Sequence, residues 1–259
     1  MTFRFPPLKG NVLVVGDGDF AYSVALARRN QTHGSARIFV SSLDLKCVVE
    51  RKYPRAQDHL RRLSSYANVT VVHGLDATKP TAWFNRGLWD SIIWNFPYCP
   101  DKAQASSEEV RDHFNKFFRN TSSSLKCDGA FYMTLSKGSA SSKLWNFQKV
   151  VFDAGLEVAQ IMNFSPSDIS GYRPKFSIRD EDISYKDCRA YVLQNVCISQ
   201  KINDLLLENR GQVSLSQFKI LFVQRYGKEP FPNGGKLKKN LESLSNNAGF
   251  FVTGGSIIM

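Results

Sequence analysis

The sequence predicts an α/β protein: an open, mostly parallel sheet wound with helices over the first three quarters of the chain, then a small helical domain ending in a hairpin. Three observations carry this. Short β-branched runs alternate with longer stretches of helical apolar spacing through residues 12–162, the pattern of strands joined by crossover helices. The first run, Val12-Leu13-Val14-Val15, passes straight into Gly16 and Gly18 and then into a helical stretch, as in sheets that bring bare backbone against a ligand. Near residue 196 the alternation stops, and short helical patterns take over up to Gly254-Gly255.

Taken in order, strands are expected at 12–16, 37–42, 69–73, 90–95, 130–136 and 156–162, with helices at 19–29, 47–65, 107–125 and 141–154 between them. A seventh run at 188–196 is rich in Val, Leu and Tyr and has no helix separating it from the sixth, so it suits a last, antiparallel strand. Beyond it, helices at 198–210, 215–226 and 235–247 precede a hairpin turned by Gly254-Gly255, which describes a winged helix-turn-helix. The expected division is therefore 1–195 and 196–259.

Composition bounds the partners. A chain of 259 residues with 42% hydrophobic residues has room for one large core and an appendage. Lys and Arg number 34 against 23 Asp and Glu, net +11; residues 198–259 hold eight of the former and four of the latter, so +4 lies there and +7 before it. Such an excess favours a polyanion through counterion release, nucleic acid ahead of an acidic membrane surface. No apolar run approaches the roughly 20 residues of a membrane span, and the first ten residues lack the apolar core of a secretory signal, so an intracellular protein is expected. Cys47, Cys99, Cys127, Cys188 and Cys197 are odd in number and scattered, and His33, His59, His73 and His113 are unclustered, so neither a disulfide framework nor a metal is expected.

Gly16, Gly18 and Ala21 satisfy a dinucleotide-binding pattern, and Asp44 closes the second strand where a ribose-binding carboxylate belongs. Electrostatics separates the two nucleotides that fit. A pyrophosphate resting on the helix start would meet Asp17 and Asp19, each repelling by roughly 4 kcal/mol at about 4 Å and an effective dielectric near 20. S-adenosylmethionine instead brings a cationic sulfonium and an ammonium, for which carboxylates are attractive. NAD remains the competitor, and helix capping by the two aspartates remains the structural alternative.

Two further strand ends carry chemistry. Asp76, in Gly74-Leu75-Asp76-Ala77-Thr78, stands where a carboxylate meets an adenine amino group. Asn95-Phe96-Pro97-Tyr98 emerges from the fourth strand with an amide for a base edge, a stiff turn and aromatic stacking faces, a combination suited to an unpaired base. Lys137 follows the fifth strand at the same edge.

Together these residues resemble the ribosomal-RNA uridine methyltransferase-like family, typified by a fungal enzyme that makes 3-methyluridine in large-subunit rRNA. The matching pieces are Val-Gly-Asp-Gly-Asp-Phe at 15–20, Ser-Leu-Asp at 42–44, Gly-Leu-Asp-Ala-Thr at 74–78, Asp90 with Asn-Phe-Pro-Tyr at 95–98, Thr-Leu-Ser-Lys-Gly at 134–138 and Gly-Tyr-Arg-Pro-Lys at 171–175, in family order. The family commonly has Glu at the place of Asp17 and His at the place of Tyr98, and it varies around 171–175. The resemblance implies a Rossmann-like class I methyltransferase sheet of seven strands and methyl transfer from S-adenosylmethionine to a uridine ring nitrogen in rRNA or tRNA. It implies cofactor contacts at Gly16, Asp17, Gly18, Phe20, Asp44, Asp76, Ala77 and Asn95. Catalytic roles would fall to Asn95, Pro97, Tyr98, Lys137 and Asp19, with Asp19 the candidate base and Lys137 the stabiliser of the uracil anion. RNA contacts would fall to Phe96, Tyr172, Arg173 and Lys175. The tail from Gln212 to Gly255 resembles a LOTUS-type winged helix, an RNA- or protein-binding module. Two other classes compete: a non-catalytic RNA-binding protein on an inherited methyltransferase fold, and an NAD-dependent oxidoreductase.

Overall fold

The structure, a computed structural model, describes residues 8–79, 81–85, 88–97, 106–136, 146–164, 172, 188–195, 198–226, 237–245 and 250–259. Tyr98, Lys137, Arg173, Lys175 and the first part of the helix expected at 141–154 lie outside these residues. The chain divides into two compact units, 1–195 and 196–259.

In the first unit the strands are β1 (Asn11–Val14), β2 (Arg37–Ser42), β3 (Val69–His73), β4 (Trp89–Asn95), β5 (Leu125–Ser136), β6 (Leu156–Asn163) and β7 (Cys188–Asn195). The helices are α1 (Ala21–His33), α2 (Lys46–Lys52), α3 (Ala56–Ser64), α4 (Ser107–Ser124) and α5 (Phe147–Asp153). The sheet order is β3-β2-β1-β4-β5-β7-β6. Strands β1 to β5 pair in parallel, while β7 runs antiparallel between β5 and β6. This is a Rossmann-like class I methyltransferase sheet, with the expected antiparallel seventh strand inserted before the sixth. The chain winds outward from β1 to β3, then returns to place β4 on the other side of β1, so the order reverses between β1 and β4. Ligands bind outside the carboxyl ends of strands at such a reversal.

Alternate residues of each central strand feed two separate cores. Val12, Val14, Ile38, Val40 and Ile93 pack with Tyr22, Leu26, Val49 and Leu63 of the helices on one face. Leu13, Ile92, Trp94, Phe131 and Met133 pack with Phe114, Phe117, Phe118 and Val150 on the other. A strand buried on both faces reads as the continuous apolar run that made β1 and β4 visible in the sequence.

Three boundaries differ from expectation. The helix expected at 47–65 is two helices, because Pro54 has no N–H to donate, and α2 stops before it at Lys52. Strand β5 begins at Leu125 rather than 130: Leu125 pairs with Trp89 and Ala130 with Ser91, leaving a bulge between. Helix α1 begins at Ala21 because Phe20 is held in the left-handed conformation, φ 63°. Helix α4 has a start signal in the sequence, a reciprocal capping box of Ser106 and Glu109.

The second unit contains α6 (Ile198–Glu208), β8 (Gln212–Ser214), α7 (Leu215–Tyr226), α8 (Leu237–Ser245), β9 (Phe251–Thr253) and β10 (Ser256–Ile258). Its strands form an antiparallel sheet in the order β8-β10-β9. Ile202, Leu205, Leu206, Phe218, Phe222, Leu241 and Phe250 close its own core. No helix of the described residues is long and apolar enough to cross a membrane.

Candidate cofactor site at the carboxyl edge

The reversal point opens into a cavity of about 200 Å³ at the carboxyl ends of β1 to β4. Its walls come from every element that ends there: Gly16 and Gly18 after β1, Asp44 after β2, Asp76 and Ala77 after β3, Trp94 and Phe96 at the end of β4. Five of the eight residues expected to hold a cofactor thus line one cavity, although they are spread over residues 16–77.

The loop after β1 is pinned from both sides. Val15 N–H donates to the Ile93 carbonyl at 2.8 Å and Asp17 N–H to the Ser41 carbonyl at 2.9 Å. Gly16 sits at φ 65°, a conformation open to glycine. At Gly18 the need is space: a Cβ there would lie 2.8 Å from the hydroxyl oxygen of Tyr53, a side chain that is itself buried. The hydroxyl of Ser42 donates to the carbonyl of Asp44 at 2.8 Å, and Leu75 N–H donates to the carbonyl of Ser42 at 3.0 Å, which ties the ends of β2 and β3 together.

The three aspartates expected at the cofactor, Asp17, Asp44 and Asp76, and Asp19, the candidate base, separate into two pairs. The Asp17 carboxylate accepts the N–H and hydroxyl of Ser23, at 2.8 and 2.5 Å, and Asp19 accepts the N–H of Ala21 at 3.0 Å. Both satisfy the start of α1, where the N-cap residue, Phe20, offers no side-chain acceptor. Asp19 is buried, its carbonyl lies 2.7 Å from His59 Nδ1, and neither carboxylate lines the cavity. Burial first, and then the charge of Asp19, lift the Asp17 carboxyl to about 7, against the two Ser23 bonds. Asp44 and Asp76 do line the cavity. Asp44 pairs with Lys52 at 3.0 Å. Burial raises Asp76, but hydrogen bonds from Thr78 and the Lys79 ammonium at 3.1 Å outweigh it and hold the carboxyl below its usual range.

On the β4 side, Asn95 accepts the Thr134 hydroxyl at 2.7 Å, and its amide nitrogen is buried. Phe96 adopts φ 50°, with its N–H on the Thr134 carbonyl at 2.9 Å. A left-handed phenylalanine costs on the order of 1–3 kcal/mol, strain of the kind that concentrates at functional sites. Its ring reaches the cavity and meets Phe164 edge-on at 5.6 Å. Pro97 follows as the last described residue of this turn. Phe20 is wholly buried, edge-on to His73 at 5.4 Å. Tyr172, expected at the RNA, is buried and packs edge-on against Tyr22 at 5.1 Å. Asp90, part of the family pattern, sits at the opposite end of β4 from the cavity, where it accepts from Asn11 N–H at 2.7 Å and pairs with Lys126 at 2.8 Å.

Sequence reasoning missed Leu43, Lys52, Tyr53, Trp94, His113 and Phe117, all on the cavity wall. Leu43 and Trp94 adjoin Asp44 and Asn95 and were within reach of the motifs. His113 and Phe117 are four residues apart on α4, hence on one face, but only packing shows that this face meets the cavity.

The lining suits an adenosyl group: Asp44 is an acceptor for a ribose diol, Asp76 an acceptor for an amino group, and Trp94, Phe117 and Leu75 are apolar walls for a purine. Gly16 and Gly18 line the same cavity, so a ligand there meets bare backbone rather than side chain after β1.

Comparison with known proteins agrees. A protein from Arabidopsis thaliana named heavy metal-associated isoprenylated plant protein 41 is 33% identical over 173 residues, 63% of this chain and 32% of that protein, so the chain spans about a third of its length. An uncharacterized protein of the same plant is 29% identical over 175 residues, 63% of this chain and 80% of that one. Among solved structures, a 30S ribosomal methyltransferase from an uncultured bacterium matches 72% of this chain and 87% of its own at 12% identity, TM-score 0.49. A TehB-like methyltransferase from Corynebacterium glutamicum matches 71% and 79% at 14% identity, TM-score 0.42, and neither likeness adds to what the strand order already says. The model of the BMT5-like family, described as rRNA (uridine-N3-)-methyltransferase, matches residues 13–176 and so takes in the whole cavity wall. Over a match of that length the chain belongs to the BMT5-like methyltransferase family, with S-adenosylmethionine as its cofactor.

Proposed function

We propose that the chain methylates the ring nitrogen N3 of a uridine in ribosomal RNA. The observation that carries this is the convergence on one cavity of Gly16, Gly18, Asp44, Asp76 and Ala77 with Phe96, the first residue of the turn that ends β4. In this reading S-adenosylmethionine, when bound, supplies an electrophilic methyl group. Asp44 holds the ribose and Asp76 the adenine amino group, while the Gly16 to Gly18 backbone lies against the methionine part. Asp17 and Phe20 serve from behind, by fixing the loop and the start of α1. The uridine would stack on the acceptor side of Phe96, with Pro97 stiffening the turn; Lys137, which matches the family pattern, and Tyr98, where the family commonly has His, are assigned to the same side. Asn95 supports the same turn through Thr134.

An imide nitrogen must lose its proton before or during attack, so the acceptor side has to stabilise a uracil anion; Lys137 is assigned that part. Asp19, the other candidate for proton transfer, is bonded into α1, which favours a supporting role. Alignment of methyl donor and nitrogen can supply about 7–11 kcal/mol of the barrier.

The second unit, three helices with a β8-β10-β9 sheet, is assigned as a LOTUS-like winged helix that contacts RNA or a protein partner. An rRNA substrate supports a nuclear, nucleolar or cytoplasmic site of action.

The test is incubation of purified protein with methyl-labelled S-adenosylmethionine and deproteinised rRNA, followed by nucleoside analysis. Label in 3-methyluridine is the expected result. Label in another nucleoside refutes the uridine assignment. Saturable cofactor binding without transfer to any RNA moves the chain to the class of RNA-binding scaffolds.

A further inference from the structure

We propose that the phosphate backbone of the RNA runs along the outer face of α2 and α3, held by Arg51, Arg55 and Arg62. The inference rests on the RNA reading above and adds where on the first unit the RNA lies.

The three arginines are exposed, and among the described residues none has an acidic partner. Their neighbours behave differently. Lys46 pairs with Glu50 at 3.9 Å, Arg61 with Asp58 at 3.2 Å, and Lys52 with Asp44 at 3.0 Å. The cations of α2 and α3 thus fall into a neutralised set and a set left to solvent.

The unneutralised set is ordered in space. Ala56 and Leu63 are buried and define the inward face of α3. Arg55 and Arg62 are seven residues apart, so they lie within about 20° of each other around the helix and about 10 Å apart along it. Between them on the same side is His59, whose Nδ1 is 2.7 Å from the Asp19 carbonyl, so the row passes beside the glycine loop. Arg51 is in the last turn of α2, next in sequence to Lys52, which lines the cavity. Leu43, on the cavity wall, and Leu45, the N-cap of α2, are exposed as well, 45% and 61%.

A solvated helix face commonly neutralises charges with partners three or four residues away, as Asp112 and Lys116 do on α4 and Lys149 and Asp153 on α5, while Arg111 and Arg119 of α4 are exposed cations without an acidic partner among the described residues and serve as the comparison below. A row of exposed like charges offers a polyanion sites that no carboxylate already occupies. Arginine suits phosphate oxygens better than lysine does, because its planar fork donates two parallel hydrogen bonds.

The test uses the full chain and polyuridylate as probe, with binding read by fluorescence anisotropy over a series of salt concentrations. The double variant Arg55→Glu/Arg62→Glu is compared with Arg111→Glu/Arg119→Glu, an equal change of charge at two exposed arginines of α4, which packs on the other face of the sheet. Tryptophan fluorescence and calorimetric S-adenosylmethionine binding check that both variants are folded. The expected result is at least a tenfold loss of affinity in the first variant, and a salt slope lower by about 1.4, since each phosphate contact on a single strand contributes about 0.7. The control is expected to stay within about twofold of wild type. Equal weakening in both variants, or none in either, overturns the proposal. Loss of binding to phosphatidylserine vesicles with polyuridylate affinity unchanged also overturns it, by giving the face to a membrane. Wild-type protein that binds no RNA at all removes the RNA reading, and the proposed face with it, a result distinct from all of these.

Discussion

The loop after β1 and the ends of β2 and β3 each bring two aspartates to the carboxyl edge, and they use them in opposite ways. Asp17 and Asp19 turn into α1 and satisfy its first N–H groups, whereas Asp44 and Asp76 face the cavity. The cause is local. A helix begins two residues after Asp19, and the unsatisfied N–H groups at its start capture the nearest acceptors. After β2 the next helix, α2, also begins two residues on, at Lys46, and its N-cap residue, Leu45, likewise makes no side-chain cap, but the Asp44 carboxylate pairs with the Lys52 ammonium at 3.0 Å and lines the cavity. After β3 the Asp76 carboxylate accepts the N–H and hydroxyl of Thr78, at 3.0 and 2.6 Å, within its own turn, and still lines the cavity. Equal charges in equivalent places thus do different work according to which donors they meet.

The strongest test of this contrast is Gly18→Val. With Tyr53 already 2.8 Å from a Cβ at that position, the branched side chain is expected to abolish S-adenosylmethionine binding in calorimetry; retained affinity would show that the ligand does not lie against this loop. Next is Asp44→Ala, which removes the ribose acceptor and strands Lys52. A hydrogen bond to a charged group contributes about 1.5–3 kcal/mol, so the dissociation constant should rise by roughly ten- to a hundredfold. Asp17→Asn should change that constant far less. An effect as large as that of Asp44→Ala would break the comparison by making Asp17 a ligand rather than a cap.

A smaller effect separates the pairs by pH. Asp17, lifted from 3.8 to about 7, keeps its proton in the folded state over a range where the unfolded chain has lost it. Its contribution to stability is therefore full below about 3.8 and is lost as pH rises to about 7, by at most about 1.4 kcal/mol per pH unit. Relative to Asp17→Asn, which cannot ionise, the wild type should weaken between pH 4 and 7 and run parallel above it. All four tryptophans, Trp83, Trp89, Trp94 and Trp145, lie in the first unit, so urea unfolding followed by tryptophan fluorescence reads that unit alone. A difference independent of pH would refute the raised value. The smallest effect is expected at Asp90→Ala, at the far end of β4. Losing the Asn11 and Lys126 contacts of a half-exposed pair should cost about 1 kcal/mol in the same unfolding assay, with cofactor affinity unchanged.

Most of the first unit was legible because a strand covered on both faces must be apolar throughout, and a glycine loop between such a strand and a helix has few other uses. The seven strands and the antiparallel last one followed from those runs and from the lack of a helical pattern in the sequence between the sixth and seventh of them. The errors fell where a local signal competes with a run: Pro54 splits what periodicity joined, and the early start of β5 depends on Trp89, its partner across the sheet. At Tyr172, too, only the tertiary structure supplies the neighbour. An aromatic within a basic motif looks the same whether it faces solvent or, as here, packs on Tyr22.

From its sequence alone this protein is a seven-stranded α/β methyltransferase fold with an adenosyl-binding edge, because apolar periodicity, the glycine pair and the order of the motifs are properties of the chain. Which carboxylates face the ligand is a tertiary matter. It depends on which donor each carboxylate meets, the start of α1 for Asp17 and Asp19, Lys52 for Asp44 and Thr78 for Asp76, and the choice of Lys52, Tyr53, His113 and Phe117 as wall depends on how α2 and α4 pack over the strand ends. Motif spacing sets which residues reach the edge; the competition among neighbouring donors there sets which of them remain free to bind.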